Sequence, residues 1–254
     1  MNRIKFLSCA ATVLTLCAAN AAEVKDPAIK LQLDFENNCN ATISAGRKTP
    51  AEIRGKITYA PGISGQALDV NKNSGCPLYM TSGNLDFDKP GTIVFWFKSQ
   101  NNWHKNPPSS VTFWGLGNTK GYIGLRIRAT GKTPVCPCRR PLTVSIFHSK
   151  LRRNVEYTLA APALTRVCRN WHMAVMAWEN NQLYLSYDGA PARAYKLEKP
   201  FSNAEFAHSN RFGLGIGPDY LLDDFRIYGR KLSNDELKKL YDEGISKANA
   251  VLGK

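Results

Sequence analysis

Residues 171–189 read Trp171-His172-Met173-Ala174-Val175-Met176-Ala177-Trp178-Glu179-Asn180-Asn181-Gln182-Leu183-Tyr184-Leu185-Ser186-Tyr187-Asp188-Gly189. The first eight are largely apolar on both alternating faces, which is the pattern of a central strand covered on two sides. Glu179 and the two asparagines break the run as a turn, Gln182 to Tyr187 resumes it as a second strand, and Asp188-Gly189 supplies the turn pair that goes with strand hairpins.

Working outward, short apolar or alternating runs recur through most of the chain, each bounded by Gly, Pro, Asn or Asp. Further strands are predicted at Ile29 to Phe35, Gln66 to Val70, Thr92 to Phe97, Val111 to Leu116, Tyr122 to Arg128, Leu142 to His148, Arg211 to Ile216 and Leu222 to Tyr228. With the first pair, this makes an all-β chain of two stacked antiparallel sheets, a jelly-roll sandwich. In Tyr122-Ile123-Gly124-Leu125-Arg126-Ile127-Arg128 the alternation turns Ile123, Leu125 and Ile127 to the core and Tyr122, Arg126 and Arg128 to the other face. One short C-terminal helix is expected: Ser233 and Glu236 form a capping box, Leu237, Leu240 and Tyr241 an apolar face, and Gly244 the stop.

Residues 1–22 read as a secretory signal peptide, with Arg3 and Lys5 at the start, an apolar Phe6 to Ala19 and small residues at Ala19-Asn20-Ala21. That predicts a secreted, periplasmic or cell-surface location, a jelly-roll domain over 23–246 and a flexible tail over 247–254. No stretch reaches the roughly 20 apolar residues of a membrane span. The formal net charge of +14 suits a polyanionic partner, whereas no dense Lys/Arg run calls for a specific nucleic acid. In an oxidising compartment disulfides are the default for Cys39, Cys76, Cys136, Cys138 and Cys168. Cys39 is expected to pair with Cys76, and Cys168 with Cys136 or Cys138, leaving one thiol over.

Three segments in order resemble the laminin-G-like, concanavalin A-like lectin and glucanase superfamily. They are Leu33-Asp34-Phe35 with Tyr59-Ala60-Pro61-Gly62-Ile63-Ser64-Gly65-Gln66-Ala67-Leu68; Trp171 to Val175 leading to Asp188-Gly189; and Leu222-Asp223-Asp224-Phe225-Arg226-Ile227-Tyr228 with Leu232 to Leu237 and Leu240-Tyr241. The resemblance runs from about Leu31 to Gly244 and implies the jelly roll. It also implies a structural calcium between first and last strands, with Asp34, Asp223 and Asp224 as ligands and carbonyls near Gly65 completing six to eight oxygens. The alternative is that these aspartates accept strand-end hydrogen bonds or pair with Arg226 and Arg230.

Such folds host many functions, so activity has to come from residues. The closely spaced E-x-D-x-x-E carboxylates of glucanases on this fold are missing, and Glu179 has no second carboxylate beside it. There is no G-x-S-x-G, no H-E-x-x-H and no phosphate loop. For sugar binding the chemistry wanted is an aromatic platform beside groups that pair with hydroxyls or acids. Trp103, His104, Tyr122, Arg126 and Arg128 are the candidates, and Trp96, Trp114, Trp171 and Trp178 are assigned to the core. The expectation is an exported, non-catalytic carbohydrate-binding module for an acidic or polar polysaccharide. An adhesion or structural protein meeting another protein at the cell surface is one alternative, and an unrecognised glycan hydrolase or lyase is another.

Overall fold

The structure, a computed structural model, describes residues 26–71, 73–100, 110–118, 121–128, 141–148, 153–160, 170–217 and 219–252. In chain order the strands are β1 (Ile29–Leu33), β2 (Ile43–Ser44), β3 (Glu52–Arg54), β4 (Tyr59–Pro61), β5 (Gln66–Val70), β6 (Cys76–Met80), β7 (Gly91–Ser99) and β8 (Ser110–Asn118). They continue with β9 (Gly121–Arg128), β10 (Leu142–His148), β11 (Arg153–Leu159), β12 (His172–Glu179), β13 (Gln182–Tyr187), β14 (Arg193–Lys196), β15 (Arg211–Ile216) and β16 (Tyr220–Tyr228), and helix α1 (Asn234–Leu252) closes the chain. Two antiparallel sheets result. One runs β14-β13-β12-β7-β16-β1-β2 with β5 and β4 branching from β16, and the other runs β11-β10-β9-β8-β15-β6-β3.

All ten expected strands are present, and the six others explain why they escaped notice. β2, β3 and β4 have two or three residues each, too few for a period of two to register. The remaining three are β6, which carries Pro77, and the edge strands β11 and β14, which mix apolar residues with Arg153, Asn154 and Glu156 or with Arg193 and Lys196. The turns are legible. Asn180 and Asn181, at φ 50° and 60°, join β12 to β13, and Asp188 and Gly189, at φ 50° and 70°, turn the chain after β13. Two successive positive φ values are what a tight hairpin requires, and Asn, Asp and Gly adopt them at least cost.

The inward faces meet in one core. Ile123, Leu125 and Ile127 point into it from β9, as the alternation predicts, against Phe95, Phe97 and Phe225 of the facing sheet. The four tryptophans assigned to the core are all buried. A second apolar layer lies on the other side of the nine-stranded sheet, where Val94, Trp96, Met173 and Val175 meet Leu237, Leu240, Tyr241 and Ile245 of α1. That is why β12 is apolar on both faces.

The helix departs from expectation. It passes through Gly244 to Leu252, so the chain over 247–252 is helix and not a loose tail, and Ala248 is buried in the second layer. Gly244 serves contact instead of termination: a Cβ there would lie 2.1 Å from Cζ2 of Trp96. The capping box forms as expected, Ser233 N–H donating to Glu236 Oε2 at 2.8 Å and Glu236 N–H to Ser233 Oγ at 3.3 Å. Arg230 adds two bonds to the same carboxylate, at 3.0 and 2.7 Å, and holds it at about 2, well below the ordinary carboxylate range. A depressed folded pKa contributes stability above roughly 4.3, the unfolded value, that is lost as pH falls through 2. Denaturant midpoints measured from pH 5 to pH 2 should therefore fall, and Glu236→Gln should remove part of that slope; an identical slope in the variant would contradict the assignment. Among the described residues no helix is long and apolar enough to cross a membrane.

Candidate ligand-binding site

The strand registers of the seven-stranded sheet line up a row of small residues on its outer face. Glu156 lies opposite Ser145, Ser145 opposite Gly124, Gly124 opposite Gly115, and Gly115 opposite Gly213. The row ends at Leu78 and Glu52. Beside it runs a second row, Thr158, Thr143, Arg126, Thr112 and Ile216. A bulge between Thr112 and Trp114 lets Phe113 and Trp114 both face the core while Thr112 and Gly115 face out.

Tyr122 lies across the glycines. A Cβ on Gly124 would fall 1.9 Å from the tyrosine hydroxyl, and one on Gly115 would lie 3.4 Å from Cε2. With no side chains beneath it, the ring lies down on the sheet, half-buried, next to Phe147 of β10. Burial raises its phenol pKa against the opposing charge of Arg126 and a hydrogen bond with Thr112. Arg126 donates from Nη2 to Glu156 Oε1 at 3.0 Å, and the same oxygen accepts from Ser145 Oγ at 3.2 Å. Among the described residues Nε of Arg126 has no hydrogen-bond partner. The result is a flat aromatic surface flanked by one guanidinium, hydroxyls and the apolar side chain of Ile216, which is 44% exposed.

The structure thus brings together two of the five predicted binding residues, Tyr122 and Arg126. Arg128 pairs with Ser110 through its backbone on the same strand, but its side chain lies outside the described residues, as do Trp103 and His104 altogether. Thr143 and Ser145 are buried on this face, and no described Trp, Tyr or Phe is exposed. Gly115, Gly124, Gly213, Phe147 and Ile216 were missed. Their one signal, glycine at outward positions of adjacent strands, becomes readable only once register is known.

The carboxylates expected to hold calcium are committed to protein donors. Asp223, buried, accepts from Ile63 N–H at 2.9 Å and Asp224 N–H at 2.7 Å. Burial and the neighbouring Asp224 charge push its carboxyl up to about 8, although bonds from the Ile63, Asp224 and Ser64 N–H groups oppose the shift. Asp224 receives Nε and Nη2 of Arg226 at 2.7 and 2.9 Å, and Asp34 accepts from Gln32 Nε2 at 2.9 Å and from the Thr42 hydroxyl. Calcium needs carbonyl and carboxylate oxygens converging on it, and Asp223 instead faces N–H donors. Among the described residues no group of three acidic, histidine or cysteine side chains is placed to hold a metal ion. Arg230 joins Asp26 and Glu236 instead of the β16 aspartates.

The expected Cys39–Cys76 bridge is not formed, and both are free thiols. Cys39 is buried with its Sγ 3.3 Å from the Tyr59 hydroxyl, and the alternation of β6 turns Cys76 to the outer face beside Gly213. Burial raises both thiol pKa values, Cys76 to about 11, which disfavours the reactive thiolate. Cys136, Cys138 and Cys168 lie outside the described residues.

No family model and no curated protein sequence matches the chain. Solved structures do. The binding domain of botulinum neurotoxin DC in complex with rat synaptotagmin II superposes with a TM-score of 0.63 at 13% identity, over 85% of this chain and 52% of that one. The same domain in complex with SialylT gives 0.64 at 13% identity, over 86% and 52%. A neurotoxin type C structure, whose description makes cell entry dependent on two ganglioside molecules, gives 0.64 at 12% over 85% and 51%. The chain spans about half the length of these neighbours, and the likeness is one of fold: an antiparallel jelly-roll sandwich, seen in domains that bind receptors.

Proposed function

We propose that this chain is an exported, non-catalytic, laminin-G-like binding module that holds an acidic or polar polysaccharide against the outer face of its seven-stranded sheet. The observation that carries the reading is Tyr122 lying flat over Gly115 and Gly124 beside Arg126. A ring laid on a glycine floor offers a planar apolar surface for a pyranose, and the guanidinium and hydroxyls at its border suit sugar hydroxyls and carboxylates. The net charge of +14 adds a long-range attraction to acidic polymers that salt would weaken. The glycan- and protein-bound neighbours support a binding role without naming a ligand.

Hydrolysis is disfavoured by spacing. The two carboxylates of this row, Glu52 and Glu156, are six strand steps apart, or roughly 29 Å at ~4.8 Å per step, whereas paired glycosidase carboxylates stand about 5–10 Å apart. A glycan array of neutral and acidic polymers, read at low and physiological salt, tests the proposal. Selective binding to related acidic glycans, weaker at higher salt and roughly tenfold weaker for Tyr122→Ala, is expected. Binding that ignores Tyr122→Ala would remove this face from the account, and no selective binding would favour a protein partner.

A further inference from the structure

One end of the sandwich holds a cleft of about 640 Å³ between the 81–90 segment, Lys30 of β1, the end of β16 and residues 203–210. It shares no lining residue with the outer-face rows. Its floor is apolar, formed by Phe87, Leu116, Trp178 and Phe206. Phe87 packs 5.1–5.4 Å from Trp178, Phe201 and Phe206, so the floor is held by an aromatic cluster.

Asn203 organises the rim. Its amide N–H groups donate to Asp86 at 2.8 Å and Asp88 at 2.9 Å, and its carbonyl oxygen accepts from Phe87 N–H at 2.9 Å. Lys89 lies 3.4 Å from Asp86 and answers its charge. Burial opposes ionisation of Asp86, but the bonds from Asn203, the Asp88 N–H and Lys89 together hold its carboxyl below the ordinary range. Lys30 supplies a further ammonium. Its stem lies along Gly229, where a Cβ would sit 2.5 Å from Cε, and among the described residues no carboxylate pairs with it.

An apolar floor, a polar rim fixed in advance and one unanswered positive charge define a ligand class. We propose that this cleft is a second binding site, separate from the outer face and not dependent on that reading, for a ring-sized ligand bearing one carboxylate, the class to which uronic-acid sugars belong. The ring packs on Phe87 and Phe206, its hydroxyls reach Asn203 and Asn210, and the carboxylate pairs with Lys30. Either the free acid or the end unit of an acidic polysaccharide would present this chemistry.

The test is titration of the purified protein with free glucuronate, its methyl ester and an oligouronate, followed by calorimetry. Glucuronate should bind the wild type, the ester roughly tenfold more weakly, and Lys30→Met should lose about the same factor for the acid. Ser82→Trp, which places an indole in the cleft from an exposed position, should abolish binding, and Tyr122→Ala should leave it intact. Equal affinity for free acid and oligomer assigns the free acid, and tighter oligomer binding assigns the chain end. No binding, equal affinity for acid and ester, indifference to Lys30→Met, or loss in Tyr122→Ala would overturn the proposal.

Discussion

Asp223→Ala should lower unfolding stability by about 3 kcal/mol, since it strips acceptors from buried backbone N–H groups at about 1–3 kcal/mol each. Asp223 accepts from Ile63 and Asp224, and so pins the turn whose Gly62 N–H closes on the Gly65 carbonyl to the closing strand. Gly62 itself has no room for a side chain, since a Cβ would lie 2.4 Å from Asp223 Oδ2. Asp223→Asn keeps one acceptor and should lose less than alanine. The carboxyl also sets a pH dependence. Its folded pKa of about 8 exceeds the unfolded value of roughly 4, so its contribution is complete below pH 4 and is lost as pH rises towards 8. Urea unfolding at pH 5 and pH 8 measures both effects. A wild-type-like Asp223→Ala, or one that keeps the full wild-type slope in this range, would show that the turn does not depend on this carboxylate.

Gly244→Val is expected to cost about 2 kcal/mol through overpacking. Trp96 cannot give way easily, because it is 2% exposed and stacked on Tyr241 at 5.7 Å with the rings 13° apart. Gly244→Ala is the less telling change, because about 1 kcal/mol of helix propensity works against the clash. Thermal unfolding, with the near-ultraviolet signal of the tryptophans as a second reading, checks the prediction. An unchanged or raised midpoint for the valine variant would mean that the helix does not approach the sheet closely at Gly244.

The architecture was legible where side-chain alternation and turn chemistry agree. Asp188-Gly189 has the residues that positive φ demands, and Ile123, Leu125 and Ile127 mark one face of a strand unambiguously. Gly244 was misread because glycine at a helix end and glycine under a packed indole look alike without the partner. Cys39 and Cys76 were paired from compartment and number alone, which say nothing about the side of a strand on which a thiol falls.

Half of the candidate site was legible for the same reason. Alternation alone turns Tyr122 and Arg126 outward. The glycines that let Tyr122 lie flat come from β8 and β9, and only the register Gly124 to Gly115 sets them side by side. Glu156 escaped because β11 reads as a polar segment until its ladder with β10 is seen. The cleft at the end of the sandwich is built from turns and strand ends, which carry no period at all.

The most direct test of glycan binding on the outer face is the affinity of Gly115→Leu for whichever polysaccharide the wild type retains. A Cβ at Gly115 meets only ordinary contacts, at 3.4–3.7 Å from Tyr122 and Ile216, so the strand should tolerate the change while the rest of the leucine lifts the tyrosine ring off its glycine floor and breaks up the flat surface. Loss of retention with an unchanged unfolding midpoint is the predicted result. Undiminished retention by the folded variant would contradict it.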